Sequence, residues 1–141
     1  MGFNLFGRRR KELSIRVSDI MSVPPIVAHY TTPIADVAKL MYENRIGSVM
    51  LVDDNSVLVG ILTERDLVKF VASERASRND PAYTIMSRNP VTIDPNSRIY
   101  DALRKMREYN IRHLPVVDKD GKPLGMISLR DLIDLTLMLA T

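Results

Sequence analysis

The sequence predicts an α+β fold made of two tandem β-α-β-β-α repeats, and three observations predict it. The stretch Gly60-Ile61-Leu62-Thr63-Glu64-Arg65-Asp66 returns as Gly125-Met126-Ile127-Ser128-Leu129-Arg130-Asp131, an offset of 65 residues. That offset holds without a gap from 20–68 onto 85–133, matching Ile20-Met21-Ser22 with Ile85-Met86-Ser87 and Val52-Asp53 with Val117-Asp118. Within each copy the apolar period changes between helical and strand-like spacing, which is the mark of mixed structure in a repeated unit.

Each copy opens with a short helical turn ending at Ile20-Met21 or Ile85-Met86, followed by a proline-led extended segment, 26–28 or 91–93. A helix follows, with Thr32 expected at its N-cap and Pro33 in its first turn, and Ser97 as the equivalent cap in the second copy. Ile34, Val37, Ala38 and Met41, echoed by Ile99, Ala102, Leu103 and Met106, give that helix one apolar face. Two apolar runs come next, 49–52 with 57–62 and 114–117 with 124–127. They are joined by Asp53-Asp54-Asn55-Ser56 or Asp118-Lys119-Asp120-Gly121, so each pair reads as a hairpin. A last helix starts at Thr63 or Ser128 and runs to about Arg75 in the first copy and to the C-terminus in the second.

The expected organisation is a basic N-terminal tail over 1–16, a first repeat over 17–75, a linker over 76–81 and a second repeat over 82–141. One such sheet leaves a face uncovered, so the repeats are expected to pack face to face with pseudo-twofold symmetry and a cleft between them. The final helix is apolar on several sides through Leu132, Ile133, Leu135, Leu137, Met138 and Leu139. A chain this small buries such a helix only against a partner, and a homodimer is expected.

Composition narrows the function. With 141 residues, 45% hydrophobic and 26% charged, the chain has the make-up of an ordinary soluble domain. No apolar run reaches the length of a membrane span. The formal charge of +3 rests on Arg8, Arg9, Arg10 and Lys11, and without those four the remainder is slightly acidic, which argues against nucleic acid as a partner. Phe6 stands where a myristoylation signal wants serine or threonine, and the short apolar start precedes its charges, unlike a secretory signal. The tail therefore reads as a mobile appendage, or as a small amphipathic anchor. The absence of cysteine removes disulfides, thiolate nucleophiles and cysteine zinc sites, and a cytoplasmic location is expected.

The doubled stretch supports two compatible readings. Thr63 with Asp66, and Ser128 with Asp131, have the spacing of a capping box. Capping does not require the glycine, which in a strand marks the close approach of another backbone or a ligand. Nor does it require Arg65 and Arg130 at helix starts, where the dipole disfavours a cation. A hydroxyl, a carboxylate and an arginine at a helix start suit a polyhydroxylated, phosphorylated ligand. The histidines His29 and His113 have no metal-binding spacing, and the turn at 118–121 lacks the further acids of a calcium loop. No nucleophile elbow, P-loop or G-x-G-x-x-G is present and no nucleophile accompanies Asp66 or Asp131, so no enzymatic activity and no catalytic cofactor are expected.

The doubled G-h-h-[ST]-x-x-D, the run Ile111-Arg112-His113-Leu114-Pro115-Val116-Val117-Asp118 and the internal register together resemble a CBS domain pair, or Bateman module, named after cystathionine beta-synthase. The resemblance covers about 17–139. It implies a regulatory sensor of an adenosyl ligand, AMP, ADP or ATP first and S-adenosylmethionine as an alternative, acting on a separate effector protein. A ligand-free dimerisation module is the other alternative. Carried over by motif, Ser128 and Asp131 would hold one ribose, with Thr32, Val37, Ile46, Gly47 and Met126 lining that site and His113 facing the phosphate. The mate would use Thr63 and Asp66, with Ile61, Ser97, Ala102, Ile111 and Arg112 around them, and Arg65 and Arg130 would reach phosphates. Where the second copy has Arg112-His113 the first has Gly47-Ser48, so the two sites are expected to differ in positive charge.

Overall fold

The computed structural model describes residues 14–74 and 76–140; the expected tail lies almost wholly outside them, as does Arg75. The chain is α+β, in this order: α1 (Val17–Ile20), β1 (Val27–His29), α2 (Ile34–Asn44), β2 (Ser48–Val52), β3 (Leu58–Thr63), α3 (Glu64–Ala72), a 3-10 turn (Ala82–Thr84), β4 (Ser87–Arg88), α4 (Ile99–Tyr109), β5 (His113–Val117), β6 (Pro123–Ser128) and α5 (Leu129–Ala140).

Two compact units form, and neither is a contiguous repeat. The first comprises residues 26–90 and 120–123, and the second takes in 91–119 and the described residues from 124 on together with 14–25. Each repeat's opening turn thus belongs to the unit built by the other repeat. In the first unit Ala82 N donates to Thr32 O at 2.7 Å, and in the second Val17 N donates to Ser97 O at 2.7 Å, two bonds related by the 65-residue offset.

In the first unit β1 runs parallel to β2, and β3 is antiparallel to both β2 and β4, giving the order β1-β2-β3-β4. The centre of this sheet, Ser48-Val49-Met50-Leu51-Val52, is buried at every position, as the apolar run 49–52 should be when both its faces are covered. Its core joins Val37 and Met41 of α2 to Val49, Leu51, Leu62 and Ala82. The second unit pairs β5 with β6, and Ile93 bridges in parallel to Val116. Its core repeats the same register with Ala102, Met106, Leu114, Val116, Ile127 and Val17.

Local conformations also keep the offset. Arg45 and Asn110 end α2 and α4 in the left-handed region, each at φ 53°, and the cap N–H of each reaches back to helix carbonyls. Ser56 at φ 63° and Gly121 at φ 80° hold equivalent places in the two hairpin turns.

Two expected caps are corrected. Thr32 and Ser97 are not N-caps: Pro33 and Arg98 occupy that position, and neither makes a side-chain cap bond. The free N–H groups of α2 find backbone carbonyls instead, with Ile34 N donating to Asp80 O and Ala35 N to Arg78 O, both at 2.9 Å. The segment between the repeats therefore satisfies a helix start. In α4 the Asp101 carboxylate accepts from Arg98 N at 3.2 Å. The carbonyls of Thr32 and Ser97 are taken by the opening turns, which fixes where each helix begins.

The last helix is apolar on two faces. Leu132 and Leu135 are buried, while Ile133, Leu137 and Met138 are 51%, 63% and 66% exposed. Val68 and Val71 on α3 are 68% and 82% exposed. Among the described residues no helix is long and apolar enough to cross a membrane.

Candidate functional site

Each helix start that carries the doubled motif is built the same way. In the first unit β3 runs into α3 at Thr63, whose Oγ1 accepts from Asp66 N at 3.2 Å while the Asp66 Oδ2 accepts from Thr63 N at 2.9 Å. In the second, Ser128 Oγ accepts from Asp131 N at 3.2 Å and Asp131 Oδ2 accepts from Ser128 N at 2.8 Å. The capping reading is correct at both ends. The next helix N–H is also held in register: Glu64 N donates to Gly47 O at 3.0 Å, and Leu129 N donates to Arg112 O at 2.8 Å.

The two starts differ beyond the cap. Asp66 is only 9% exposed, and its Oδ2 also accepts from Thr63 Oγ1 at 3.0 Å. Ser87 Oγ donates to the same carboxylate, at 3.2 Å to Oδ1 and 3.4 Å to Oδ2. Asp131 is half-buried, and among the described residues its carboxylate accepts from Ser128 N alone. Ser128 Oγ accepts from Asp131 N and is left with a proton to donate outward. A recess of about 330 Å³ in the first unit is lined by Asp66, Lys69, Phe70, Ser73, Ala76, Asp80, Thr84 and Ile85.

The glycines have a structural cause. A Cβ on Gly125 would stand 2.8 Å from Ser22 O and 2.9 Å from Met21 Sδ. A Cβ on Gly60 would overlap Met86 Sδ and stand 3.1 Å from Ser87 O. What approaches each glycine is the opening segment Ile-Met-Ser of the other repeat, so the glycines do not by themselves mark a ligand.

The structure brings Ser128, Asp131, Met126, Arg112 and His113 into one unit, with Arg130 exposed on the first turn of α5. Arg112 is tied by its carbonyl to this helix start, whereas the resemblance assigned it to the ligand of Asp66; Gly47 is likewise tied to the Thr63 start. Thr32, Val37, Ile46 and Gly47 belong to the first unit with Ile61, Thr63, Arg65 and Asp66, and Ser97, Ala102 and Ile111 belong to the second. Val37 and Ala102 have no exposed surface and are core residues, while Ile46 and Ile111 are half-buried against the same cores. The residue that sequence reasoning missed is Ser87. Its signal was present, because Ile85-Met86-Ser87 repeats Ile20-Met21-Ser22, but only the exchange of opening segments places that serine beside Asp66. Among the described residues no group of three or more histidine and acidic side chains gathers as a metal site.

Fold and helix starts together define a tandem α+β pair with two register-related hydroxyl and carboxylate sites. The chain belongs to the CBS domain family, whose model matches residues 17–73 and 82–137. It is similar to a homoserine O-acetyltransferase of Methanosphaera stadtmanae, 37% identical over 113 residues, which covers 80% of this chain but only 22% of that protein. The fold matches the CBS domain pair of a protein solved in complex with 5′-methylthioadenosine and S-adenosyl-L-methionine. There the TM-score is 0.81 and the identity 32%, covering 88% of this chain and 97% of that one. It also matches a CBS domain protein from Pyrobaculum aerophilum complexed with AMP, with a TM-score of 0.80 and 34% identity, covering 89% of this chain and 98% of that one.

Proposed function

We propose that this chain is a regulatory module that binds an adenosyl ligand, with the Asp131 carboxylate accepting from the ribose hydroxyls and Ser128 donating beside it. The observation that carries this reading is Asp131 Oδ1, which no donor among the described residues occupies, next to a serine hydroxyl with a proton to give. The solved relatives that hold AMP, or 5′-methylthioadenosine with S-adenosyl-L-methionine, supply the ligand class. Arg112, His113 and Arg130 share the unit of Asp131, whereas Gly47 and Ser48 stand at the places of Arg112 and His113 in the first unit. That charge favours AMP, ADP or ATP over uncharged adenosine. The module acts by binding, and the resulting change is passed to an effector protein.

Thermal unfolding with AMP, ADP, ATP, S-adenosylmethionine and adenosine tests this. A ligand at about a hundred times its Kd stabilises by roughly 2.7 kcal/mol, which raises the Tm of a chain this size by roughly 5–10 °C. At least one phosphorylated member is expected to do so at lower concentration than adenosine. If none of the panel moves the Tm, the chain is a ligand-free interaction module.

We also propose a homodimer held by the exposed apolar faces of α3 and α5. Val68, Val71, Ile133, Leu137 and Met138 are each more than half exposed, an unfavourable arrangement for helices that stay solvated. Sedimentation is expected to give a dimer at micromolar concentration; a monomer there contradicts the proposal.

A further inference from the structure

The two motif carboxylates hold the same place in the repeat, yet they differ in what remains for a ligand. In both, the cap uses Oδ2. At Asp131 the other oxygen has no donor among the described residues, whereas at Asp66 it receives Ser87 Oγ at 3.2 Å. Ser22, the counterpart of Ser87, lies on the same kind of ladder, bridged to Met126 as Ser87 is to Ile61. Among the described residues Ser22 makes no side-chain bond to Asp131. A carboxylate offers about four lone-pair positions, and a ribose diol needs two of them. Thr63 N, Thr63 Oγ1 and Ser87 Oγ already engage three of those of Asp66, which leaves too few for the diol until Ser87 is displaced.

We infer that Ser87 sets the inequality of the two sites: it is an internal competitor that occupies the Asp66 oxygen a ribose would need, so that ligand fills the Asp131 site first. This rests on reading both carboxylates as ribose acceptors. The contact is long for a hydroxyl donating to a carboxylate, which places Ser87 as a donor that a diol displaces at a cost and not as a permanent block. The Asp66 site is therefore the weaker of two graded sites, answering a higher ligand concentration. Filling it detaches the Ser87 hydroxyl from the start of α3, while β4 keeps its pairing with β3.

The test is calorimetric titration of the full chain with AMP and with 2′-deoxy-AMP, comparing the parent, Asp131→Ala, and Asp131→Ala with Ser87→Ala or with Ser22→Ala. Asp131→Ala is expected to leave only weak binding. Adding Ser87→Ala should tighten AMP by about threefold to tenfold, the range of one modest hydrogen bond. It should also widen the preference for AMP over 2′-deoxy-AMP, which a merely structural change would not do. Adding Ser22→Ala should change nothing. If Ser87→Ala leaves AMP binding unchanged, weaker or still undetectable, Ser87 is not a competitor. A parent that binds no AMP, or an Asp131→Ala variant that binds as the parent does, refutes the ribose assignment itself and is read separately.

Discussion

Replacing Asp131 with alanine is expected to weaken adenine nucleotide binding roughly 10-fold to 100-fold. A carboxylate accepting from a hydroxyl makes a charge-assisted bond worth about 1.5–3 kcal/mol, and each 1.4 kcal/mol is about tenfold in affinity. The same substitution removes the bond from Ser128 N, so a stability loss of about 1 kcal/mol accompanies it. The two effects separate cleanly: calorimetry on folded protein reads the affinity, and thermal unfolding reads the cap. Asp66→Ala should show the reverse balance, because that carboxylate is only 9% exposed and already serves Thr63 and Ser87. Its cost falls mainly on stability and its effect on the first ligand bound is small. If Asp131→Ala lowers the Tm by the same amount and leaves affinity untouched, the doubled motif is a cap and nothing more.

The second large effect is expected from Val17→Asp. Val17 lies in the sequence of the first repeat, yet it is fully buried in the core formed with Ile93, Ala102, Leu114 and Ile127. A carboxylate there has no buried partner, and an uncompensated buried charge costs about 3–5 kcal/mol. Denaturant unfolding measures the total. Hydrogen exchange shows where it falls, with the amides of β5 and β6 expected to lose protection before those of β2 and β3. Protection lost first in β2 and β3 would mean that residues 17–20 pack on their own repeat.

Much of the fold was legible because the signals are local. The repeat register located both copies of the two longer helices and of the hairpin strands, and both capping boxes at Thr63 and Ser128 form as their spacing implies. The extended segment expected at 91–93 forms no strand beyond the Ile93 bridge, and Leu103, read as part of the apolar face of α4, is exposed. What escaped is non-local. Nothing in the sequence near Val17 or Ala82 says which core will receive it, and the exchange of opening turns follows from tertiary packing alone. Thr32 and Ser97 carry good capping chemistry but lose that position because their carbonyls bond to those turns. The candidate site was legible as a motif and less so as a pair of sites. Asp66 and Asp131 hold the same place in the motif, and the arrival of Ser87 beside one of them is a difference that the motif itself does not carry.

The most direct measurement is the affinity of the unmodified chain for AMP and 2′-deoxy-AMP, side by side in one calorimeter under one buffer. If the carboxylate at the start of α5 holds the ribose diol, AMP binds at least about tenfold more tightly, since one charge-assisted bond is lost with the 2′-hydroxyl. That gap should narrow in Asp131→Ala, where only the weaker Asp66 site is left to read the diol. Equal affinity of the unmodified chain for the two nucleotides, or a gap of undiminished size in Asp131→Ala, would contradict the assignment of this carboxylate to the ribose.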